Sequence, residues 1–496
     1  MTDPAAQTAD TVQSDALNEH RRLALAKIET LREQGTNPYP HDYPDRTMID
    51  SVRQTHDGLE ADQETDAVYR VAGRIVARRQ HGALVFLDLE DDSAAIQLLA
   101  DQDHLGDAFE FAQGLGVGDI IGVGGAVLRT ARGELSLRPT EITLLAKSIL
   151  PFPDRKSGIK DPELRQRKRE LELMSIPETR ERFRARARVI SAIRQVMDGE
   201  GFIEVETPIL QNIYGGASAT PFVTHHRALG QDFYLRIAPE LYLKRCLVGG
   251  LERVYEIGRD FRNEGLSPKH NPEFSMIECY QAYADYNDSL ELFKKLIAAA
   301  AIAVNGSSEI TLPSGTYDTA SDWKVITYRQ AMMIHTGIDI EDQPTLAQLE
   351  AAMPKGQQLP KNCSAEDALD KVFSKRVESE LKGLTIIKDY PAVSTPLAKR
   401  HRDDPELVER FEAFADDVEL ANSFSELNDP VEQRHRFEEQ AGDQGYDQDF
   451  IASLEQAMPP AAGIGIGIDR LVAMITGSEN IREIILFPTL KNRDQS

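Results

Sequence analysis

Five short runs of β-forming residues, bounded or interrupted by glycine, follow one another between Val71 and Leu145. They read VAGRIVARR, ALVFLDLE, AAIQLLA, DIIGVGGAVLRT and ELSLRPTEITLL. Strands that are this short and this closely spaced are typical of a small closed barrel of the OB type. The pattern therefore predicts a compact β-barrel near the start of the chain.

The rest of the chain divides around this barrel. A total of 496 residues is too many for one hydrophobic core and suits two or three domains. Residues 1–17 are polar and predict a disordered tail, and 18–150 predict a helix followed by the barrel. Residues 151–176 begin with a run rich in proline, glycine and lysine and predict a linker. In 177–496 helices and strands mix without strict alternation, which predicts an α+β domain with an antiparallel sheet.

Several classes of protein are excluded. No uninterrupted apolar run of about 18 residues is present, so we expect no membrane partner. The N-terminal residues lack both a basic start and an apolar stretch, which argues against a secretory signal. The cysteines, Cys246, Cys279 and Cys363, are scattered, without a CxxC pair. This spacing excludes a zinc ribbon and a disulfide framework and predicts a cytoplasmic protein.

The formal net charge of −25 is unexpected for a protein that binds nucleic acid, because phosphate contacts need Lys and Arg. The charge is unevenly distributed, with a basic excess in 155–194 and an acidic excess in 400–460. Both runs are also compatible with solvated helix faces. Net charge therefore neither supports nor excludes a nucleic-acid partner.

The predicted barrel has one polar face that carries an aromatic ring. Strand alternation turns the apolar residues inward and leaves Phe86, Gln97 and Glu134 outward, near Arg78 and Arg79. Stacking on a ring contributes about 1–3 kcal/mol per base, and polar side chains can then read base edges. The alternative is a single exposed phenylalanine, which needs no functional explanation.

The segment VYEIGRDFRNEGLSPKHNPEFSMIECY, residues 254–280, predicts strand, loop and strand. Alternate positions give each strand a polar face, and a hairpin could turn both faces toward one cleft. The residues on these faces are Glu256, Gly258, Asp260, Arg262 and Glu264 on the first strand, and Phe274, Met276, Glu278 and Tyr280 on the second. A salt-bridged solvent face is the alternative, but it does not account for Phe274.

GIGIGIDRLVAM, residues 463–474, predicts a strand with one apolar face and one bare face, followed by a helix that begins near Arg470. A bare face allows a flat ligand to approach the backbone, and Arg470 could stack on a base or meet phosphate. Packing of the glycines against a helix is the alternative. No Rossmann or P-loop fingerprint marks another nucleotide site.

Together these motifs resemble a known family. FRNEG with HNPEF is similar to motif 2 of the class II aminoacyl-tRNA synthetases, in their bacterial-type lysyl-tRNA branch. GIGIDR is similar to motif 3, and GFIEVETPIL, residues 201–210, to motif 1, which builds the dimer interface in that family. The likeness covers nearly all of 70–490. It implies an N-terminal OB-fold barrel followed by a class II antiparallel-sheet catalytic domain.

The resemblance also implies an activity. The family attaches L-lysine to the 3′ end of tRNA(Lys) through a lysyl-adenylate, with ATP as a substrate, Mg²⁺ as the cofactor, and release of AMP and pyrophosphate. A homodimer is expected. By motif position, Arg262 would bind the α-phosphate and the lysine carboxylate, and with Arg470 it would be catalytic. The implied ATP contacts are Arg262, Glu264, His270, Asn271, Phe274 and Arg470.

The remaining implied sites are rich in carboxylates. Glu412 and Glu419 would hold Mg²⁺, and Arg78, Phe86, Gln97 and Glu134 would read the anticodon. The implied lysine pocket consists of Gly216, Glu240, Glu278, Tyr280, Asn422, Phe424 and Glu426. Three glutamates with nothing to neutralise them would repel one another, and the two ammonium groups of lysine could relieve that repulsion. Because Glu419 has the opposite strand parity to Asn422, a bulge or a bend is needed to bring both into one site.

Some positions depart from the family pattern, which leaves the tRNA-docking surface and the geometry near Glu419 open. These positions are Glu170, Thr220, Arg227, Asp416, Asp417, Val418 and Ala457. Two other functions compete with tRNA charging. One is a paralogue that attaches lysine to a protein or a lipid, and the barrel and the absence of a membrane span argue against it. The other is a regulatory protein on an inactive scaffold, which the presence of Arg262, Glu278 and Arg470 disfavours.

Overall fold

The structure is a computed structural model that describes every residue except 1–3, 154, 156, 157, 218, 362, 442–445 and 492–496. It describes no side chains at 4–16, 394, 440 and 441. The chain forms two compact units, Met1–Ser157 and Gly158–Ser496. Within the described residues, no helix combines the length and the apolar character that a membrane crossing requires.

The first unit consists of a long helix, three short helices and five strands. Its elements are α1 (Pro4–Glu33), α2 (Ile49–Thr55), β1 (Gln63–His81), β2 (Leu84–Glu90), β3 (Ala95–Asp101), α3 (Gln102–Leu105), α4 (Ala108–Gln113), β4 (Ile120–Arg129) and β5 (Leu135–Ala146). The helix predicted to begin at residue 18 begins at Pro4, and the prediction of a disordered tail over 1–17 stays a prediction.

The five strands form a closed barrel in the order β1-β2-β3-β5-β4, because β1 pairs with both β2 and β4. Its core is built from alternate strand residues that are fully buried, among them Ile75, Leu87, Leu98 and Val123. Burying each such side chain contributes about 1.5–3 kcal/mol. The predicted OB-type barrel is confirmed.

The second unit surrounds one large sheet. Its helices are α5 (Pro162–Arg167), α6 (Arg169–Ser175), α7 (Pro177–Gly199), α8 (Glu240–Val248), α9 (Tyr286–Asn305), α10 (Tyr328–Thr336), α11 (Leu346–Ala352), α12 (Ala365–Val372), α13 (Pro430–Ala441), α14 (Gln448–Leu454) and α15 (Ile468–Thr476). Its strands are β6 (Ile203–Glu204), β7 (Leu210–Gln211), β8 (Val223–His226), β9 (Gln231–Leu235), β10 (Arg253–Phe261), β11 (Glu273–Ala282), β12 (Glu309–Leu312), β13 (Gly315–Asp318), β14 (Lys324–Thr327), β15 (Leu384–Pro391), β16 (Leu407–Ala415), β17 (Val418–Ser425) and β18 (Ala461–Gly467).

The predicted linker, 151–176, contains the two short helices α5 and α6. Helix α5 forms because Asp161 caps its N-terminus by accepting a hydrogen bond from the backbone N–H of Glu163, and because Pro162 occupies the first turn. Composition alone did not reveal these local signals.

Eight strands form the large sheet in the order β14-β15-β16-β17-β18-β11-β10-β6. Neighbouring strands are antiparallel except at the two edges, where β14 pairs with β15 and β6 with β10 in parallel. Helices α7, α9 and α15 share one apolar core with this sheet, through residues such as Ile193, Phe293, Val472 and Ile466. The predicted α+β domain with an antiparallel sheet is confirmed. On the other face, α8 and α10 pack against parts of the sheet.

Candidate active site

The hairpin of β10 and β11 brings two polar strand faces together. Glu256 pairs with Glu278 and Asp260 pairs with Phe274 in the register of the two strands. Directly opposed residues of antiparallel strands point to the same side of the sheet. Ile277 and Cys279 alternate with this face and lie in the core shared with the helices. The sequence-based prediction that both polar faces meet is confirmed.

Strand β18 lies beside β11 and places its glycines on the same polar face. Gly463 pairs with Tyr280, and Gly465 with Glu278. A Cβ atom at Gly463 would lie 2.2 Å from Oε1 of Glu426 and 2.3 Å from a ring carbon of Tyr280. The bare face therefore makes room for pocket side chains, and the alternative that these glycines pack against a helix is wrong.

These strands line one cavity of about 1310 Å³. It collects almost all the residues predicted to bind ATP, lysine or the metal: Gly216, Glu240, Arg262, Glu264, His270, Asn271, Phe274, Glu278, Tyr280, Glu419, Asn422, Phe424, Glu426 and Arg470. Glu412 is the predicted residue that does not line this cavity. The individual roles of these residues stay predictions, but their proximity agrees with a single site.

Glu278 lies at the buried end of the cavity. Its Oε2 accepts a hydrogen bond of 3.1 Å from the hydroxyl of Tyr280. Burial raises the pKa of Glu278 well above its usual value, and the negative charges of Asp260 and Glu240 raise it further. Within the described part of the chain, no Lys, Arg or His side chain forms an ion pair with Glu278. A cation from outside the protein would therefore be stabilised at this carboxylate.

The expectation that nothing neutralises the pocket glutamates is wrong. Nζ of Lys244 is fully buried and lies 2.7 Å from Oε1 of Glu240 and 2.5 Å from Oε2 of Glu426. Burial lowers the pKa of Lys244, but the two carboxylates outweigh burial and raise it above its usual value. The signal in the sequence is the Glu-Lys spacing of four residues on α8, which places both side chains on one helix face.

The other end of the cavity is more exposed and carries arginines. The guanidinium carbon of Arg262 lies 5.1 Å from the ring centroid of Phe274. Arg470 donates a hydrogen bond of 2.8 Å to the backbone oxygen of Glu419, and its Nη2 lies 3.1 Å from Nε2 of His270. Burial, and then the charge of Arg470, lower the pKa of His270. At neutral pH this end therefore presents two arginine cations and a neutral imidazole.

A buried ion cluster supports β10, the strand that ends just before Arg262. Arg236 pairs with Glu256, and its Nε lies 3.0 Å from Oδ1 of Asp260. A Cβ atom at Gly258 would lie 2.0 Å from Nη2 of Arg236, so only glycine leaves room for this guanidinium. Burial raises the pKa of Asp260 to about 6, against the opposing charges of Arg236 and Arg262. Arg236 could not be predicted from the sequence, because the contact joins distant segments.

The predicted magnesium ligands differ in their surroundings. Glu412 is buried, and its oxygens contact Arg410 and, at 2.7 Å, the hydroxyl of Tyr390. Burial and then the charges of Glu412 and Glu419 raise the pKa of Glu378 to about 7. Burial, and to a smaller extent the charge of Glu419, raise the pKa of Glu412. These carboxylates concentrate negative charge that a hard divalent cation relieves.

Within the described ranges, no three His, Cys, Asp or Glu side chains lie close enough to hold a metal ion by themselves. Mg²⁺ usually binds one or two carboxylates and completes its shell with water and substrate phosphates. Glu419 lines the cavity and lies 3.1 Å from Nη1 of Arg470, whereas Glu412 contacts Arg410 and Tyr390, so the role of both as magnesium ligands stays a prediction. Glu378 is an additional carboxylate that the sequence analysis missed.

The predicted bulge lies in β17. Ala413 pairs with Ala421 and Phe414 pairs with Glu419, which leaves Leu420 as an extra residue that is buried in the core. The extra residue reverses the strand parity. Glu419 can therefore line the cavity together with Asn422 and the residues that follow, as expected.

Three departures from the family pattern have structural explanations. Asp416 adopts a left-handed φ of +48° in the turn before β17, and its carboxylate accepts a hydrogen bond of 2.7 Å from the backbone N–H of Gly383. Asp417 lies 2.5 Å from Nζ of Lys269 in the loop between β10 and β11. Ala457 is exposed with a φ of +69°, a conformation that favours glycine.

The polar face of the barrel is assembled from three strands. Phe86 pairs with Arg79, and Asp88 pairs with Gln97. The Nη2 atom of Arg79 donates to Asp88 at 2.7 Å and to Gln97 at 3.2 Å, and Gln97 donates to Ser136 at 2.9 Å. The sequence-based placement of Phe86 and Gln97 on one outer face is confirmed.

The two predicted arginines on this strand differ. Arg78 pairs with the fully buried Leu87 and donates hydrogen bonds to Gln80 and to the backbone oxygen of Gln113. Arg79 is therefore the arginine directly opposite Phe86. Glu134 is exposed at the start of β5. The anticodon roles of these side chains stay predictions.

Comparison with known protein families identifies the class of enzyme to which this chain belongs. A family model described as tRNA synthetases class II (D, K and N) matches residues 161–491. A second model, OB-fold nucleic acid binding domain, matches residues 69–145. The combination of the two domains defines a class II aminoacyl-tRNA synthetase.

Relatives that are similar over nearly the whole length of this chain identify its branch of the class II synthetases. A lysine--tRNA ligase of Moorella thermoacetica is 44% identical over 97% of this chain and 99% of its own length. Those of Syntrophomonas wolfei and Trichormus variabilis are 43% and 44% identical, over 96% and 95% of this chain and 98% and 87% of their own lengths. The chain belongs to the class II lysine--tRNA ligase family.

Proposed function

We propose that this protein attaches L-lysine to the 3′ end of tRNA(Lys) through a lysyl-adenylate, using ATP and releasing AMP and pyrophosphate. The observation that supports this most directly is the single cavity that joins a buried glutamate pocket to an arginine-lined end. The glutamate pocket suits an amino acid with two positive charges, and the arginine-lined end suits a nucleoside triphosphate. The relatives named above are lysine--tRNA ligases.

Two transfers account for the reaction. The lysine carboxylate attacks the α-phosphorus of ATP, the bond from that phosphorus to the bridging oxygen breaks, and pyrophosphate leaves. A hydroxyl of the terminal ribose of tRNA then attacks the carbonyl carbon, and AMP leaves. Arg262 neutralises charge that grows at the α-phosphate, and Phe274 and Arg470 hold adenine between them. No side chain acts as a covalent nucleophile, so catalysis is positioning and electrostatics.

The pocket selects lysine by charge and shape. Glu240 contacts the α-ammonium, and Glu278, Tyr280 and Glu426 surround the side-chain ammonium. An uncharged amino acid leaves a buried carboxylate without a partner, which is costly. Arginine is excluded by the size and planarity of its guanidinium.

Magnesium and the remaining ATP contacts complete the active site. Glu412 and Glu419 would hold Mg²⁺, which would supply positive charge that neutralises the phosphates. Glu264 contacts adenine, and His270 and Asn271 lie beside the phosphates. Because Nδ2 of Asn271 donates to the backbone oxygen of Glu273 at 2.6 Å, its Oδ1 is the atom left for a ligand or water.

The barrel reads the anticodon, with Phe86 as the stacking ring and Arg78, Gln97 and Glu134 as polar contacts. The family match to an OB-fold nucleic acid binding domain supports this proposal.

The enzyme works as a homodimer in the cytoplasm. Motif 1 and the strands after it expose large apolar side chains, each at least 43% accessible: Ile203, Ile209, Leu210, Ile213, Val223 and Leu229. Such a patch marks a protein–protein interface. The cysteines Cys246, Cys279 and Cys363 are free, as in a reducing compartment.

The test is lysine charging of tRNA(Lys) by the purified enzyme, measured beside lysine-dependent pyrophosphate exchange. We expect both activities. Exchange without charging would support a paralogue that modifies another acceptor, and the absence of both would support an inactive scaffold.

A further inference from the structure

Lys244 does not line the cavity itself but lies behind two of the glutamates that do. Its ammonium is fully buried, and the two carboxylates that it contacts, Glu240 and Glu426, both line the cavity. Glu240 comes from the same helix as Lys244, one turn earlier, whereas Glu426 follows β17 at the centre of the large sheet. Lys244 therefore joins two elements that meet only at the pocket.

The contacts of Lys244 use one oxygen of each glutamate. Lys244 takes Oε1 of Glu240 and Oε2 of Glu426. The opposite oxygens face other pocket positions, because Oε2 of Glu240 lies 3.8 Å from the Cβ position of Gly216, and Oε1 of Glu426 lies 2.2 Å from that of Gly463. Each glutamate thus keeps an oxygen for a ligand while Lys244 fixes its orientation.

The pocket charges can be counted from these contacts. When lysine is bound, its cations favour the ionised carboxylates, so Glu240, Glu278 and Glu426 contribute three negative charges and Lys244 contributes one positive charge. The net charge of the pocket wall is then two negative charges. Free lysine carries two ammonium groups, and its carboxylate points to Arg262 at the other end under the proposed function. Bound lysine therefore leaves the pocket electrically balanced only if Lys244 is present.

We propose that Lys244 is a positioning residue for amino-acid selection: its ammonium aligns Glu240 and Glu426 and sets the pocket charge to match a dicationic amino acid. This inference rests on the proposed lysine pocket and adds a residue to it. Without Lys244, bound lysine leaves one buried carboxylate uncompensated, which weakens binding. Without Glu426 as well, the balance is restored.

A double-mutant cycle on the full-length enzyme tests this proposal. The variants are Lys244→Met, Glu426→Gln and the double variant, assayed by pyrophosphate exchange as a function of lysine and of ATP concentration. Each single variant raises the lysine KM by about tenfold or more, because a buried charge loses its partner. In the double variant the lysine KM is lower than in Glu426→Gln alone. The ATP KM changes by less than about twofold in all three variants.

Arg245→Met is the matched control, since it removes a cation from the next position of α8, where the guanidinium lies over the ring of Tyr242 at 5.3 Å. Its lysine KM stays at the wild-type value. If Lys244→Met does not fold, the comparison of the double variant with Glu426→Gln still decides the question. Losses that multiply in the double variant, or equal increases in the KM for ATP and lysine, overturn the proposal.

A separate variant distinguishes failure of the role proposed for Lys244 from failure of the proposed function. Glu278→Gln changes a pocket carboxylate that does not contact Lys244. If Glu278→Gln leaves the lysine KM unchanged, the lysine pocket itself is misassigned. If Glu278→Gln raises it while the double variant shows no recovery, the pocket is correct and the role of Lys244 is wrong.

Discussion

Charged and polar side chains are stabilised differently on the polar face of the barrel and in the catalytic cavity. On the barrel, Arg79, Asp88 and Gln97 lie near solvent and bind one another across neighbouring strands. In the cavity, Glu278 is buried, and among the residues that the structure describes its hydrogen-bond donor is the hydroxyl of Tyr280. Water satisfies an exposed polar face at little cost, whereas a buried carboxylate stays costly until a cation arrives. The difference indicates that the barrel is preformed for binding, while the cavity is completed by its ligand.

The largest effect is expected at the arginine end of the cavity. Arg262→Ala should reduce lysine activation by about a thousandfold or more, because a donor at the developing phosphate charge is lost. Binding of tRNA, measured by filter retention, should be nearly unchanged. Arg259→Ala is the control, since Arg259 is an exposed arginine of β10 shortly before Arg262 and pairs with Glu273 at 3.3 Å. Wild-type exchange in Arg262→Ala would show that motif 2 is misassigned.

The amino-acid end should respond to a change of charge alone. Glu278→Gln keeps the shape of the side chain and should raise the lysine KM by about a hundredfold, as expected for a buried ion pair that loses one charge. The ATP KM should change far less. Glu291→Gln, on the exposed side of α9, should behave like the wild type. A variant that loses stability and keeps its lysine KM would mean that Glu278 is a structural residue.

Strand alternation explains why so much of both regions could be predicted. A period of two placed Phe86, Gln97 and the paired faces of β10 and β11 correctly, because the side-chain period of a strand depends on local backbone geometry alone. The opposite parity of Glu419 and Asn422 also predicted a bulge or bend, which the structure places at Leu420. Arg236 was missed because its partners come from distant segments, and Lys244 was missed because only one of its two partners, Glu240, is close in sequence.

The barrel should tolerate a change that separates its role from that of the cavity. Phe86→Ala should lower tRNA charging about tenfold, since about 1.4 kcal/mol of lost stacking is one decade. Pyrophosphate exchange should be unchanged. Val68→Ala, which shortens an exposed side chain on the neighbouring strand β1, should affect neither. Loss of exchange together with unfolding would mean that Phe86 belongs to the core.

The cost of the empty pocket should be visible in stability. Burial, then Asp260 and Glu240, raise the pKa of Glu278, so the ionised form destabilises the folded enzyme. Below about pH 4.3 the carboxyl is protonated in both the folded and the unfolded states, and Glu278→Gln should melt like the wild type. As the pH rises above that value, the unfolded state loses the proton first, and the variant should become more stable than the wild type.

Melting curves at pH 5 and pH 8, with and without lysine, measure this effect. Lysine should raise the melting temperature of the wild type much more than that of Glu278→Gln. Equal melting temperatures of the two ligand-free enzymes at pH 8 would mean that burial of Glu278 does not destabilise the folded enzyme. The contrast between the buried carboxylates of the cavity and the exposed polar face of the barrel would then be wrong.

The smallest effect is expected at Ala457, which lies outside both charge systems. A left-handed conformation costs an L-residue about 1–2 kcal/mol, and the greater flexibility of glycine in the unfolded state offsets about 0.5–1 kcal/mol of that. Ala457→Gly should therefore stabilise the enzyme by about 0.5 kcal/mol in urea unfolding, with no change in charging. A destabilised variant would contradict the strain assigned to the φ of +69°.

The cavity activates lysine because lysine supplies the two cations that the buried carboxylates of the cavity lack. Pyrophosphate exchange with each standard amino acid in turn tests this most directly. Lysine alone should support rapid exchange, and arginine and the uncharged amino acids should support almost none. Comparable exchange with an uncharged amino acid, or none with lysine, would contradict the account.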